Sequence, residues 1–170
     1  MIATFSITEE DLIAQQKNAI KNTKFHRKSR IMQLIVFIIF VIFTLVVYGF
    51  STSTNDLLFG LALCLILAPV VWKSYEVAII RRYKRDIVKQ HKNKKGTFTL
   101  TLSEEELIKE SNNLTEKIQW DDLKEFKEDE TRYFLYITDL HAITIKKEPD
   151  NLSEEEIKKY QAFIKRKVSA

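Results

Sequence analysis

IMQLIVFIIFVIFTLVVYGF, residues 31–50, is a run of twenty residues without a charge. A helix of that length rises about 30 Å, the thickness of a bilayer's hydrocarbon core. Gln33 and Thr44 are its only strongly polar members, and both can satisfy hydrogen bonds locally. A second uncharged run, residues 57–72, has sixteen residues and spans about 24 Å as a helix. It can continue helically to Ile80. Lys73 can snorkel to the interface, while Trp72 and Tyr75 suit an aromatic belt. Glu76 stands three residues after Lys73, a workable same-face pair. Pro69 is expected to kink this helix near its inner end. A hairpin buried inside a soluble fold is the alternative. In 170 residues too little polar surface remains to cover two such runs. The reading is a transmembrane hairpin, with spans at about 31–50 and 57–76.

The flanks orient it. STSTND, residues 51–56, carries no Lys or Arg. Lys17, Lys21, Lys24, Arg27, Lys28 and Arg30 precede the first span. RRYKRDIVKQHKNKKG, residues 81–96, follows the second and holds eight cations against Asp86 alone. The positive-inside rule then places both termini in the cytoplasm. The same segment alone would suit nucleic acid. Beside a span it reads as the inner rim of the hairpin, with Arg27, Lys28, Arg30, Arg81, Arg82, Lys84 and Arg85 as candidate contacts to anionic lipid headgroups.

Charge divides the chain. The overall formal charge of +4 hides a net +9 over residues 1–95 and a net −5 over residues 96–170. An acidic folded half argues against a nucleic-acid partner, which needs a basic face with stacking aromatics. Cys64 is the sole cysteine, so neither an internal disulfide framework nor a cysteine-based zinc site is available. His26, His91 and His141 sit in unrelated segments and read as isolated surface or loop residues. No nucleophile elbow, phosphate-binding loop, zinc-protease helix or dinucleotide loop is present. The expectation is a protein that is not an enzyme, with no catalytic residue, metal or cofactor.

Four segments follow: 1–30, 31–80 (the hairpin), a basic juxtamembrane linker at 81–96, and a domain at 97–170. In the first, Ala3, Phe5 and Ile7 alternate with polar residues as a short strand. Thr8-Glu9-Glu10-Asp11 then resembles a helix start, with Leu12, Ile13, Ala19 and Ile20 on one face. In the last, Phe98, Leu100 and Leu102 alternate with threonines. Further strands are expected at 107–111, 117–120, 132–138 and 142–146. Asn112-Asn113 marks one turn, Asp139-Leu140-His141 another, and Asp121-Asp122 a solvated turn beside Trp120. LSEEE occurs twice, read as a turn at 102–106 and as a capped helix start at 152–156. Ile157, Tyr160, Ile164 and Val168 follow at helical spacing. The fold class is membrane α+β: a two-helix hairpin, then a small antiparallel sheet or partial barrel capped by a C-terminal helix. That order of elements is pleckstrin-homology-like (PH-like), an analogy at the level of fold. Trp120 reads as a core residue whose N–H needs a partner.

The layout resembles the YcxB-like family of small bacterial membrane proteins. The resemblance rests on the FSITEED segment from Phe5 to Asp11, the two spans, and the I-x-W-x-x-L element of Ile118, Trp120 and Leu123, followed by Phe126 and an acidic stretch. Phe134 to Ile137 and ITIKK at 143–147 also fit, whereas Lys146-Lys147-Glu148-Pro149 departs from the usual pattern at that corner. The resemblance implies a bacterial plasma-membrane protein with a cytoplasmic PH-like domain, and carries over no catalytic residue. The expected function is presentation of an interaction or regulatory module to a protein partner. Anionic lipids would hold the flanks, and homo-oligomers are allowed. The alternative is an oligomeric, holin-like pore-forming hairpin.

Overall fold

The computed structural model describes residues 1–47, 54–90, 96–111 and 114–169. The expected Asn112-Asn113 turn, the first half of the STSTND loop, His91 and the cations from Lys92 to Lys95 lie outside these residues. The chain begins with strand β1 (Ile2–Ile7) and helix α1 (Glu9–Asn22). Thr8 caps α1 through a reciprocal box: its hydroxyl accepts from the Asp11 N–H, and its own N–H donates to the Asp11 carboxylate. Thr23 adopts an extended conformation and ends α1. Its carbonyl then accepts from the Arg27 N–H as α2 (Lys24–Val47) begins.

Helices α2 and α3 (Thr54–Gln90) form an antiparallel hairpin. Leu45 meets Gly60 at one end, and His26 meets Tyr75 at the other. A Cβ on Gly60 would stand 2.7 Å from Leu45 Cδ1, so glycine lets the helices approach closely there. Both helices are long and apolar enough to cross a membrane, and only 6 % of each apolar window is buried by the chain itself. Phe40, Phe43, Val46, Leu65, Ile66 and Val70 stand more than 60 % exposed. A hairpin buried in a soluble core would have these side chains covered; the chain does not cover them.

The segment expected as a linker is helical as far as Gln90. Arg and Lys are good helix formers, and the amphipathic pattern brings Ile87 (3 % exposed) into the core of the domain, with Tyr83 packed against it. Helix α3 therefore runs unbroken from the hairpin into the folded domain, with Pro69 inside it.

The domain has two antiparallel sheets. The first orders β1-β2-β3-β4, with β2 Gly96–Leu102, β3 Glu106–Ser111 and β4 Leu114–Gln119. The second orders β5-β6-β7, with β5 Glu125–Glu128, β6 Arg132–Thr138 and β7 His141–Lys146. The expected N-terminal strand is thus the edge of a sheet made mainly by the C-terminal half. Phe5 pairs with Phe98 and Ala3 with Leu100, and all four side chains are buried. Its outer edge is closed by the turn after β7: Asn151 Oδ1 accepts from the Thr4 N–H at 2.7 Å, and the Asp150 N–H donates to the Thr4 carbonyl. An edge covered in this way cannot recruit another strand.

Strand β6 is buried on both faces, which explains its unbroken apolar run. Tyr133 and Leu135 face the main core with Ile143 and Ile145. Phe134 and Tyr136 face Ala19 of α1 with Ala142. Helix α4 (Glu154–Val168) starts at the predicted capping box between Ser153 and Glu156 and buries Tyr160 and Ile164. The first LSEEE is a turn, with Ser103 Oγ accepting from the Glu106 N–H. One expectation needs correcting: Trp120 does not continue a strand. It opens a 3-10 turn, Trp120–Asp122, that carries the chain from the first sheet towards the second.

Candidate interaction surfaces

Three clusters of polar chemistry lie along α1 and the hairpin base. The first joins α1 to the second sheet. Asp11 is 2 % exposed and receives the Arg132 Nε–H at 2.6 Å, besides its bonds from Thr8. Burial pushes the Asp11 carboxyl up, but bonds from Thr8 and Arg132, with the guanidinium charge, outweigh that and hold it below its usual range. Arg132 also reaches Asp129 at 3.1 Å. One turn on, Gln15 donates to the Ala142 carbonyl at 2.6 Å and accepts from the Thr144 hydroxyl at 3.0 Å. Asn18 Oδ1 accepts from the Tyr136 hydroxyl at 2.8 Å. These groups satisfy one another and fix α1 on the sheet; their role is positional.

The second cluster clasps the base of the hairpin. His26, read from sequence as an isolated histidine, is 5 % exposed, and its Nδ1 lies 2.8 Å from the Tyr75 hydroxyl. Arg30 stacks over Trp72 at 5.2 Å and Tyr75 at 5.8 Å, and its guanidinium is 3.8 Å from Glu76. Glu76 therefore pairs across the hairpin, in place of the Lys73 partner expected within its own helix. Gln33 donates to Ser74 Oγ at 3.2 Å. Arg30 is turned inward with its side chain 12 % exposed, which separates it from the other proposed headgroup contacts. Arg27, Lys28, Arg81, Arg82, Lys84 and Arg85 are all exposed.

Third, a groove of about 450 Å³ lies where α1 passes α3 and is lined by Lys17, Lys73, Arg81, Lys84 and Arg85. Positions 73, 77, 80, 81 and 84 recur at helical spacing, which puts them on one face of α3. A second groove of about 610 Å³ shares Lys73, Val77 and Arg81 with it and extends along Pro69, Val70 and Ala78. Lys17 comes from α1 and was counted among the flanking cations but not among the candidate headgroup contacts. Only the packing of α1 against α3 brings it to this face.

The I-x-W-x-x-L element sits at the far end of the domain. Ile118 and Trp120 are buried, and Trp120 Nε1–H donates to the Ser103 carbonyl at 3.0 Å, the partner its burial required. Its ring meets Phe163 edge-on at 6.0 Å. Leu123 and Phe126 are partly buried and pack on the core. Trp120, Leu123, Phe126 and Val168 form the apolar part of an open groove of about 680 Å³. Glu104, Glu105, Asp121 and Glu125 line it too, against Lys124 and Lys167. Glu104 is held by Lys167 at 2.6 Å and Arg166 at 2.7 Å, which closes the end of α4 onto the β2–β3 turn.

Residues 102–164 match the family model described as YcxB-like protein. This bears out the resemblance drawn from the I-x-W-x-x-L element over that stretch. No curated protein and no solved structure matches the chain.

Proposed function

We propose that this chain, with its YcxB-like C-terminal region, is an integral membrane protein. Its two apolar helices cross the bilayer, and its domain is a PH-like module held at the inner surface of a bacterial plasma membrane. The observation that carries this reading is the pairing of β1 with β2 across the hairpin. Strands at opposite ends of two spans can share a sheet only if both lie on one side. The cations that flank the spans favour the cytoplasmic side. The uncovered apolar surface of α2 and α3 supports insertion, because soluble proteins seldom leave so large a contiguous patch open to water.

The four-stranded and three-stranded sheets with a C-terminal helix support the PH-like description. The module's role is binding and not catalysis. Its groove at Trp120, Leu123 and Phe126, where Glu105, Asp121 and Glu125 outnumber Lys124 once Glu104 and Lys167 are paired, suits a basic, partly apolar segment of a protein partner. The exposed cations at the span ends hold anionic headgroups, at about 1 kcal/mol each near the surface. Reporter fusions at residue 53 and at the C-terminus test the topology. The expected result is an extracytoplasmic residue 53 with a cytoplasmic C-terminus, and a C-terminus found outside would defeat the proposal. Photo-crosslinking from Asp121, with Lys158 on the outer face of α4 as control, tests the groove.

A further inference from the structure

We infer that the groove between α1 and α3 is a discrete site for one anionic phospholipid, with its phosphate among Lys17, Lys73, Arg81 and Lys84. This rests on the membrane reading above but goes beyond it, since scattered cations at span ends need no site.

Three observations converge on it. First, the cations are free. Lys17, Lys73, Arg81, Lys84 and Arg85 make no ion pair among the described residues, and the one acid beside them, Glu76, is engaged by Arg30. Five cations gathered at one groove repel one another and gain when a polyoxygen anion enters. Second, the groove is itself mainly apolar in surface, with Val77 and Ile80 beside the cations, and it is continuous with another of the same kind. Lys73, Val77 and Arg81 line both, and beyond them lie Pro69, Val70 and Ala78. A ligand with a charged phosphodiester head and a hydrocarbon tail matches this polarity; inorganic phosphate would leave the apolar part empty. Third, the site falls where such a ligand would be met. Lys73 follows Trp72 at the inner end of the apolar run, and Arg81 and Lys84 lie two and three turns further on the same face.

The site is built by two elements. Lys17 belongs to α1, which is fixed on the β5-β6-β7 sheet, whereas the other cations belong to α3. A bound headgroup therefore bridges the domain and the hairpin.

The test uses the full chain in neutral detergent, titrated with phosphatidylglycerol and read by native mass spectrometry. The wild type is expected to retain one phosphatidylglycerol in preference to phosphatidylcholine. The variant Lys73→Gln/Arg81→Gln/Lys84→Gln is expected to weaken that retention about tenfold or more. A comparison variant, Arg27→Gln/Lys28→Gln/Arg82→Gln, removes the same charge from exposed cations outside the groove and should weaken retention much less than the groove variant does. Equal loss in both variants would overturn the proposal in favour of diffuse attraction. Displacement of the lipid by an equal concentration of inorganic phosphate would overturn the assignment to a lipid. Release of the chain from cell membranes by alkaline carbonate would instead defeat the membrane reading, a result read separately from groove binding in detergent.

Discussion

Replacing Asp11 tests how the N-terminal helix is held on the C-terminal domain. The Asp11 side chain is 3 % exposed, and Arg132 is 19 % exposed with its Nε–H on Asp11 Oδ1. Breaking a buried ion pair by removing one member costs about 3–5 kcal/mol, because the other charge is left uncompensated. Arg132 keeps Asp129 at 3.1 Å and some water, which places the loss at the lower end. Asp11 also closes the capping box of α1, worth about 1 kcal/mol. Asp11→Ala should therefore cost about 3–4 kcal/mol, and Asp11→Asn somewhat less. The assay is denaturant unfolding in detergent followed by Trp120 fluorescence, in a Trp72→Phe background so that a single tryptophan reports. A double-mutant cycle with Arg132→Gln should give a coupling of about 2 kcal/mol. Single-variant losses that add to within about 0.5 kcal/mol would refute the pairing. The pH dependence has a definite sign. The folded carboxyl titrates below its usual 3.8, so its stabilisation is present above that value and vanishes as pH falls through the lower folded value. The gap between wild type and Asp11→Asn should be full at pH 6 and should narrow below about 3.8.

Further expectations follow from other contacts. A fragment of residues 96–170 should fail to give a cooperative thermal transition, since it lacks Ala3, Phe5 and Ile7; supplying residues 1–22 in trans should restore part of it. Gly60→Leu should lower the apparent Tm of the chain in detergent far more than Gly60→Ala, for which the end of the Leu45 side chain need only move aside. Tyr160→Phe removes the hydroxyl that donates to the Lys146 carbonyl at 3.0 Å and should cost about 1 kcal/mol in the same unfolding assay.

Local pattern made some elements readable and left others invisible. Strands β2 and β6, both capping boxes and the amphipathic α4 announce themselves through period, cap residues and turn chemistry. Strand β5 does not: EFKE is four residues long, mostly charged, and is made a strand by its pairing with β6. The partnership of β1 with β2 is equally silent, because alternation predicts a strand but not which strand it joins. The cations from Arg81 to Lys89 drew attention to their charge, and a buried residue among them, Ile87, was hidden by it. His26 lacked a signal because its partner, Tyr75, stands 49 residues away. The motif at Ile118 and Trp120 was legible because its residues are adjacent, and the Trp120 partner could be required in advance though not named. The groove at Lys17 needed tertiary structure.

The sheet that joins the two ends of the chain also orders its biosynthesis. Ile2 must wait for Thr101, its partner in the register. At ribosomal rates of 5–20 residues per second that delay is roughly 5–20 s. During it both apolar helices have emerged, free on the proposed reading to enter the bilayer, while β1 has no strand to join. The domain therefore closes only after the hairpin is in place, and only when both ends have stayed on one side. A chain with one helix left uninserted, or threaded the wrong way, keeps β1 and β2 apart and leaves two sheet edges open to proteases and aggregation. On the proposed membrane reading, folding of the domain thus acts as a proofreading step for insertion.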